Sequence, residues 1–179
     1  MMESQSEFSN VLNVESLGET AKRIHLDADE AACSALAARF DLASVESLAG
    51  DLIVERVKGG DLIRVSGRMT ASITQSCVVT GASVPAEIEE SVDERFGPPR
   101  GTEVEVEVTI DVEDPPEPII ESGIDLGEII SQYLGVAIEP YPKAPGAEIP
   151  QRYQAEKDEV LETPKNPFEI LATLKRGGE

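Results

Sequence analysis

The chain has 179 residues, with 35 acidic and 15 basic side chains and a single histidine, for a formal charge of −20 at neutral pH. A surface this acidic repels phosphate backbones and anionic membranes and attracts basic partners. Aromatic residues make up only 4%, which leaves few platforms on which single-stranded bases could stack.

The length suits one domain, or one domain with a tail, and such a domain buries enough surface to need no disulfide or metal staple. Residues Met1 to Glu7 have neither the basic nor the apolar segment of a secretory signal. No apolar run approaches the ~18–20 residues of a spanning helix. Cys33 and Cys77 form no CxxC pair, and with one histidine the chain cannot build the usual His/Cys metal cage. These features together point to a cytoplasmic protein with no cofactor and no metal.

In chain order, strands are expected at Phe8–Val14 and Ala21–Leu26, parted by a turn at Gly18. Residues 1–7 are expected to be disordered. Asp27 and Glu30 are spaced as a capping box, opening a helix to Phe40 on which Ala32, Leu36 and Phe40, with Cys33 beside them, form an apolar stripe. From Val45 to Val112 the period changes to two. Leu52–Val57 turns through Lys58-Gly59-Gly60-Asp61 into Leu62–Gln75, where Gly67 is expected to mark a bulge. The chain returns as Val84–Phe96. After Gly97–Gly101, Glu103–Glu113 alternates, with Val104, Val106, Val108, Ile110 and Val112 on one face and Glu103, Glu105, Glu107, Asp111 and Glu113 on the other. One dry and one wet face suit an antiparallel sheet. A second capping box at Asp125 and Glu128 opens a helix carrying Leu126, Ile129, Ile130, Tyr133, Leu134 and Ala137, and Pro140 stops it.

The expected class is α+β: a twisted, barrel-like antiparallel sheet of about six strands in residues 8–140, with two main helices. A Pro-rich tail follows in residues 141–179, its short terminal helix capped at Asn166-Pro167 and carrying Phe168, Leu171 and Leu174.

No GxSxG elbow, Walker loop or HExxH is present, so no catalytic residue is assigned. Cys77 and His25 could in principle meet as a nucleophile and base, although Cys77 reads more simply as a small residue packed under a turn. His25 reads as solvated or held by a backbone partner. From Val84 to Glu128 there are 15 carboxylates and two cations, Arg95 and Arg100. Three readings of this stretch stand open: a face for a cationic partner, a solubilising cover for an aggregation-prone strand, and an oxygen-ligand cation site.

The string Gln75-Ser76-Cys77-Val78-Val79-Thr80-Gly81 is more specific. With Gly123–Glu128, Glu139-Pro140-Tyr141-Pro142-Lys143-Ala144-Pro145-Gly146 and Asn166-Pro167-Phe168, it resembles the YceD family in its alphaproteobacterial form, from about Phe8 to Leu174. Many members of that family carry Cys-x-Arg-Cys at this place, and here Val79 and Thr80 replace its last two residues, leaving Cys77 without a cysteine partner. The resemblance implies a non-enzymatic factor supporting accumulation of large-subunit ribosomal RNA and ribosome assembly. Joined to the charge, it implies a basic protein, such as a ribosomal protein or assembly factor, engaged by Glu103, Glu105, Glu107, Asp111 and Glu113, with Phe168 and Leu171 as a docking helix. The alternative is direct contact with ribosomal RNA through Arg56, Lys58, Arg64 and Arg68 of the first hairpin.

Overall fold

The computed structural model describes residues 6–57, 62–98, 116–119 and 123–148. The chain divides into two units after Ala147, and every element below belongs to the first. The turn at 58–61, the strand expected at Glu103–Glu113 and the terminal helix expected at Phe168–Leu174 lie outside the described residues.

Three long strands organise the fold: β3 (Ser44–Arg56), β4 (Ile63–Ser76) and β5 (Ser83–Gly97). Each places its apolar residues on alternate positions, so one face of the sheet is dry. Leu48, Leu52 and Val54 of β3, Ile63, Val65, Met69 and Ile73 of β4, and Val92 and Phe96 of β5 are all buried. Each fully buried Leu or Ile contributes about 1.5–3 kcal/mol. Ahead of them run β1 (Val11–Asn13) and β2 (Lys22–Asp27), and after them the short β6 (Glu117–Pro118) and β7 (Gly123–Asp125). The main sheet has the order β2-β3-β4-β5-β6, antiparallel except for β5 and β6, while β1 and β7 form a second, two-stranded sheet.

The class is α+β, but the sheet does not close into a barrel. Its end strands, β2 and β6, are not paired with one another. Two helices take the place that closure would fill. Helix α1 (Glu30–Arg39) packs along β3, and helix α2 (Leu126–Ala137) lays Ile130 over Gly50. The Phe40 ring at the end of α1 fits against Gly135 of α2. One apolar core therefore joins both helices to the same face of the sheet.

The capping of α1 differs from expectation. Asp27 is still in β2, paired with Ala49, and Ala28 N–H continues the ladder to Leu48 O. Asp29 is the first residue free to turn, and its carboxylate accepts from Ala32 N at 2.8 Å. At α2 the expected cap is present: Asp125 accepts from the N–H groups of Gly127 and Glu128. Glu128 does not complete a capping box, because its carboxylate turns to Arg39 and Ser6. Asp125 also accepts from Asn10 N–H and Ser9 Oγ, which ties the N-terminal arm to the helix.

Gly67 is not a bulge. Its register with Leu52 is unbroken, and the irregularity falls instead between Val45 and Ser47. The glycine is required by close approach, since a Cβ there would overlap the Asp51 carbonyl oxygen and lie against the Leu52 backbone. Backbone, unlike a side-chain tip, cannot swing aside. Gly67→Ala is expected to cost about 3 kcal/mol or more, whereas Gly18→Ala, with open space around it, should stay within about 0.5 kcal/mol. Denaturant unfolding of the two variants measures both.

Candidate functional site

With both helices on one face, no described element covers the other face of the main sheet, and strand alternation sends the charged side chains there. Arg23, His25 and Asp27 of β2, Asp51 of β3, Arg68 of β4 and Glu87, Glu89 and Asp93 of β5 are exposed, and Arg64 is half-buried. Register sets the pattern. Arg64 stands opposite Arg95 near the β3–β4 turn, and His25, Asp51, Arg68 and Ser91 form one row. Farther along come Glu89, opposite Thr70, and Glu87, opposite Ser72. Arginines and carboxylates thus alternate near the β3–β4 turn, and carboxylates alone, Glu89 and Glu87, follow farther along β5.

Many of these charges are already cross-linked. Arg64 donates twice to Asp93, at 2.7 and 2.8 Å, which holds the Asp93 carboxyl below its ordinary value. Arg68 meets Glu89 at 2.7 Å. Arg56 turns off the face altogether and donates to the carbonyls of Leu17 and Val14, bracing the N-terminal segment. Of the sequence-derived candidates, Arg56, Arg64 and Arg68 are therefore in described structure. Lys58, Glu103, Glu105, Glu107, Asp111, Glu113, Phe168 and Leu171 lie outside the described residues.

His25 is solvated, and its partners are carboxylates rather than backbone: Nδ1 lies 2.7 Å from Asp51 and Nε2 2.8 Å from Asp27. Asp51, then Asp27, raise its pKa. The row of His25 crosses β4 at Arg68. Cys77 is nine positions farther along the chain, roughly 30 Å away at the rise of a strand, so the Cys77–His25 dyad is not assembled. Among the described residues no group of three or more His, Cys, Asp or Glu side chains could hold a metal, and no helix is long and apolar enough to cross a membrane.

Cys77 proves more than a filler. It is buried just past the end of β4, and the segment after α2 is clasped onto it by three bonds. Gln75 Nε2 donates to Glu139 O at 2.8 Å, Val78 N–H to Pro142 O at 2.9 Å, and Ala144 N–H to the Cys77 sulfur at 3.2 Å. The Ala144 N–H first, then the Thr80 hydroxyl and the N–H groups of Val79 and Thr80, favour the thiolate and bring the thiol from 9.0 down to about 6, with burial opposing. Gly81 and Gly146 both sit at positive φ, a conformation that favours glycine.

The family described as "Large ribosomal RNA subunit accumulation protein YceD" matches the chain over residues 65–175. That span is more than half of the chain and includes the clasp. The chain belongs to the YceD family. No curated protein and no solved structure matches it. The YceD description ties the family to accumulation of the large ribosomal RNA subunit. Within this YceD chain the matched span begins inside β4, so the outer-face residues of β2 and β3 precede it.

Two titrations test this geometry. Cys77 ionises more easily folded than unfolded, so its contribution to stability is complete above about pH 9 and disappears as the pH falls through about 6. The parent chain should therefore gain more stability between pH 6 and 9 than Cys77→Ser does, as read by unfolding midpoints. For His25 the sign is opposite, because its folded pKa is raised. Its stabilisation is present below 6.5 and is lost as the pH rises through the folded value. Proton NMR should place His25 above 6.5, and Asp51→Asn should lower it.

Proposed function

We propose that this YceD-family chain is a non-enzymatic cytoplasmic factor that supports large-subunit ribosomal RNA, and through it ribosome assembly, by binding a basic protein on its acidic sheet face. A ribosomal protein or another assembly factor has the required charge. The observation that supports this over direct RNA binding is the state of the first-hairpin arginines. Arg64 and Arg68 are already paired with Asp93 and Glu89, and Arg56 is held by backbone carbonyls. A phosphate would have to displace these partners before any counterion release could favour binding. A basic protein meets less competition at Glu87, whose partner among the described residues is the Ser72 hydroxyl. In this reading Glu103, Glu105, Glu107, Asp111 and Glu113 add to the acidic contact and Phe168 and Leu171 to an apolar one, all of them outside the described residues.

Tagged protein should retain a basic ribosomal or assembly protein at low salt after nuclease treatment. It should release that protein as salt approaches 1 M, where screening acts within roughly 3 Å. Absence of any basic partner at low salt would sink the reading. Nuclease-sensitive RNA recovered with the parent chain, and lost from the double variant Arg64→Glu, Arg68→Glu, would establish the direct RNA contact instead.

A further inference from the structure

A cleft of about 390 Å³ opens between α1 and the start of β3. Its walls are the methyl groups of Ala28, Ala37 and Ala43, and Cys33 lies at its floor. Burial, with Asp29 and Glu46 adding, pushes the Cys33 thiol up, so the floor is uncharged at neutral pH. Glu30 and Glu46 line the cleft, and among the described residues no cation lines it. Glu46 is held in place: Ser44 Oγ and Thr74 Oγ1 both donate to its Oε1. Those hydroxyls keep it ionised by lowering its pKa, and one oxygen is left for a further donor. The bulge between Val45 and Ser47 is what brings Glu46 out to this rim. The neighbouring row across the sheet is Ser47, Ser72 and Glu87.

We propose that this cleft receives an arginine side chain of the basic partner, its stem lying along the alanine methyls and its guanidinium reaching Glu46 and Glu30. The assignment rests on the basic-partner reading above and names where that partner is anchored. Charge complementarity selects a cation, because two carboxylates line the cleft and no described residue lining it is cationic. The shape selects arginine over lysine: small side chains leave a slot for a flat group with an apolar stem. A planar fork of donors can serve two acceptors at once, which a point-like ammonium does less well.

The test uses the full ¹⁵N-labelled chain titrated with N-acetyl-arginine amide, and with N-acetyl-citrulline amide as the neutral isostere. Saturable shifts are expected at the amides of Ser34, Ala37, Ala43 and Glu46 with the arginine compound and not with citrulline. Glu46→Gln should weaken binding about threefold, the scale of one exposed ion pair. Ala37→Leu, which fills the slot, should abolish the shifts while the rest of the spectrum stays in place. If Ala37→Leu fails to fold, Ser34→Leu on the exposed part of the same wall replaces it. Equal response to citrulline, shifts confined to Glu87 and Glu89, or undiminished binding to the filled variant would each overturn the assignment. A basic partner captured equally well by parent and Ala37→Leu chains would reject the cleft while leaving the acidic-face reading intact. Absence of any partner would reject that reading as well.

Discussion

Three long antiparallel strands, each apolar on one face and charged on the other, impose the constraint from which the rest of the structure follows. The ladder of β3, β4 and β5 pairs the backbone over almost its whole length, and the dry face must then be covered. Helices α1 and α2 cover it, joined by Phe40 against Gly135. Because they occupy that face, the sheet has no need to curl on itself and remains open. Its wet face remains available for charge.

The formal charge of −20 is not spread as an even field. Register places arginines of β4 beside carboxylates of β5, so part of the acidity is neutralised within the sheet at the β3–β4 end. Among the described residues, Glu46 at the start of β3 and Glu87 in the first half of β5 are held by hydroxyls rather than by cations. Arg39 acts in the same way elsewhere, bridging Glu128 and Glu7, and so fastens the N-terminal arm across α1 and α2. Overall charge says which partners are attracted; internal pairing says where on the molecule that attraction is left over.

Much of the fold is legible because period-two and helical patterns act locally. The alternation of Ile63, Val65, Met69, Ala71 and Ile73 identifies β4, and Asp125 before Leu126 identifies the start of α2. The failures occur where a local signal competes with a neighbour in space. Asp27 has the spacing of a cap, yet it stays in β2 because Ala28 still bonds to Leu48. Gly67 has the look of a bulge, yet it serves the close passage of the Asp51 carbonyl. Cys77 without a second cysteine looks inert, and its actual partner, the Ala144 N–H, is 67 residues away. No spacing rule reaches that far.

By itself, the sequence determines the alternating strands, the two amphipathic helices, the acidic balance and the string of motifs that marks the YceD family. The strands and helices depend on residues within one or two turns of one another, and the charge and the motif string on composition and order along the chain. The tertiary structure alone decides that the sheet is open, that the arginines of the first hairpin are occupied, that the segment after α2 is clasped at Cys77, and that Glu46 rims a cleft. Those outcomes depend on register between strands and on the face the helices choose. Both are set by how the whole chain buries its one dry surface.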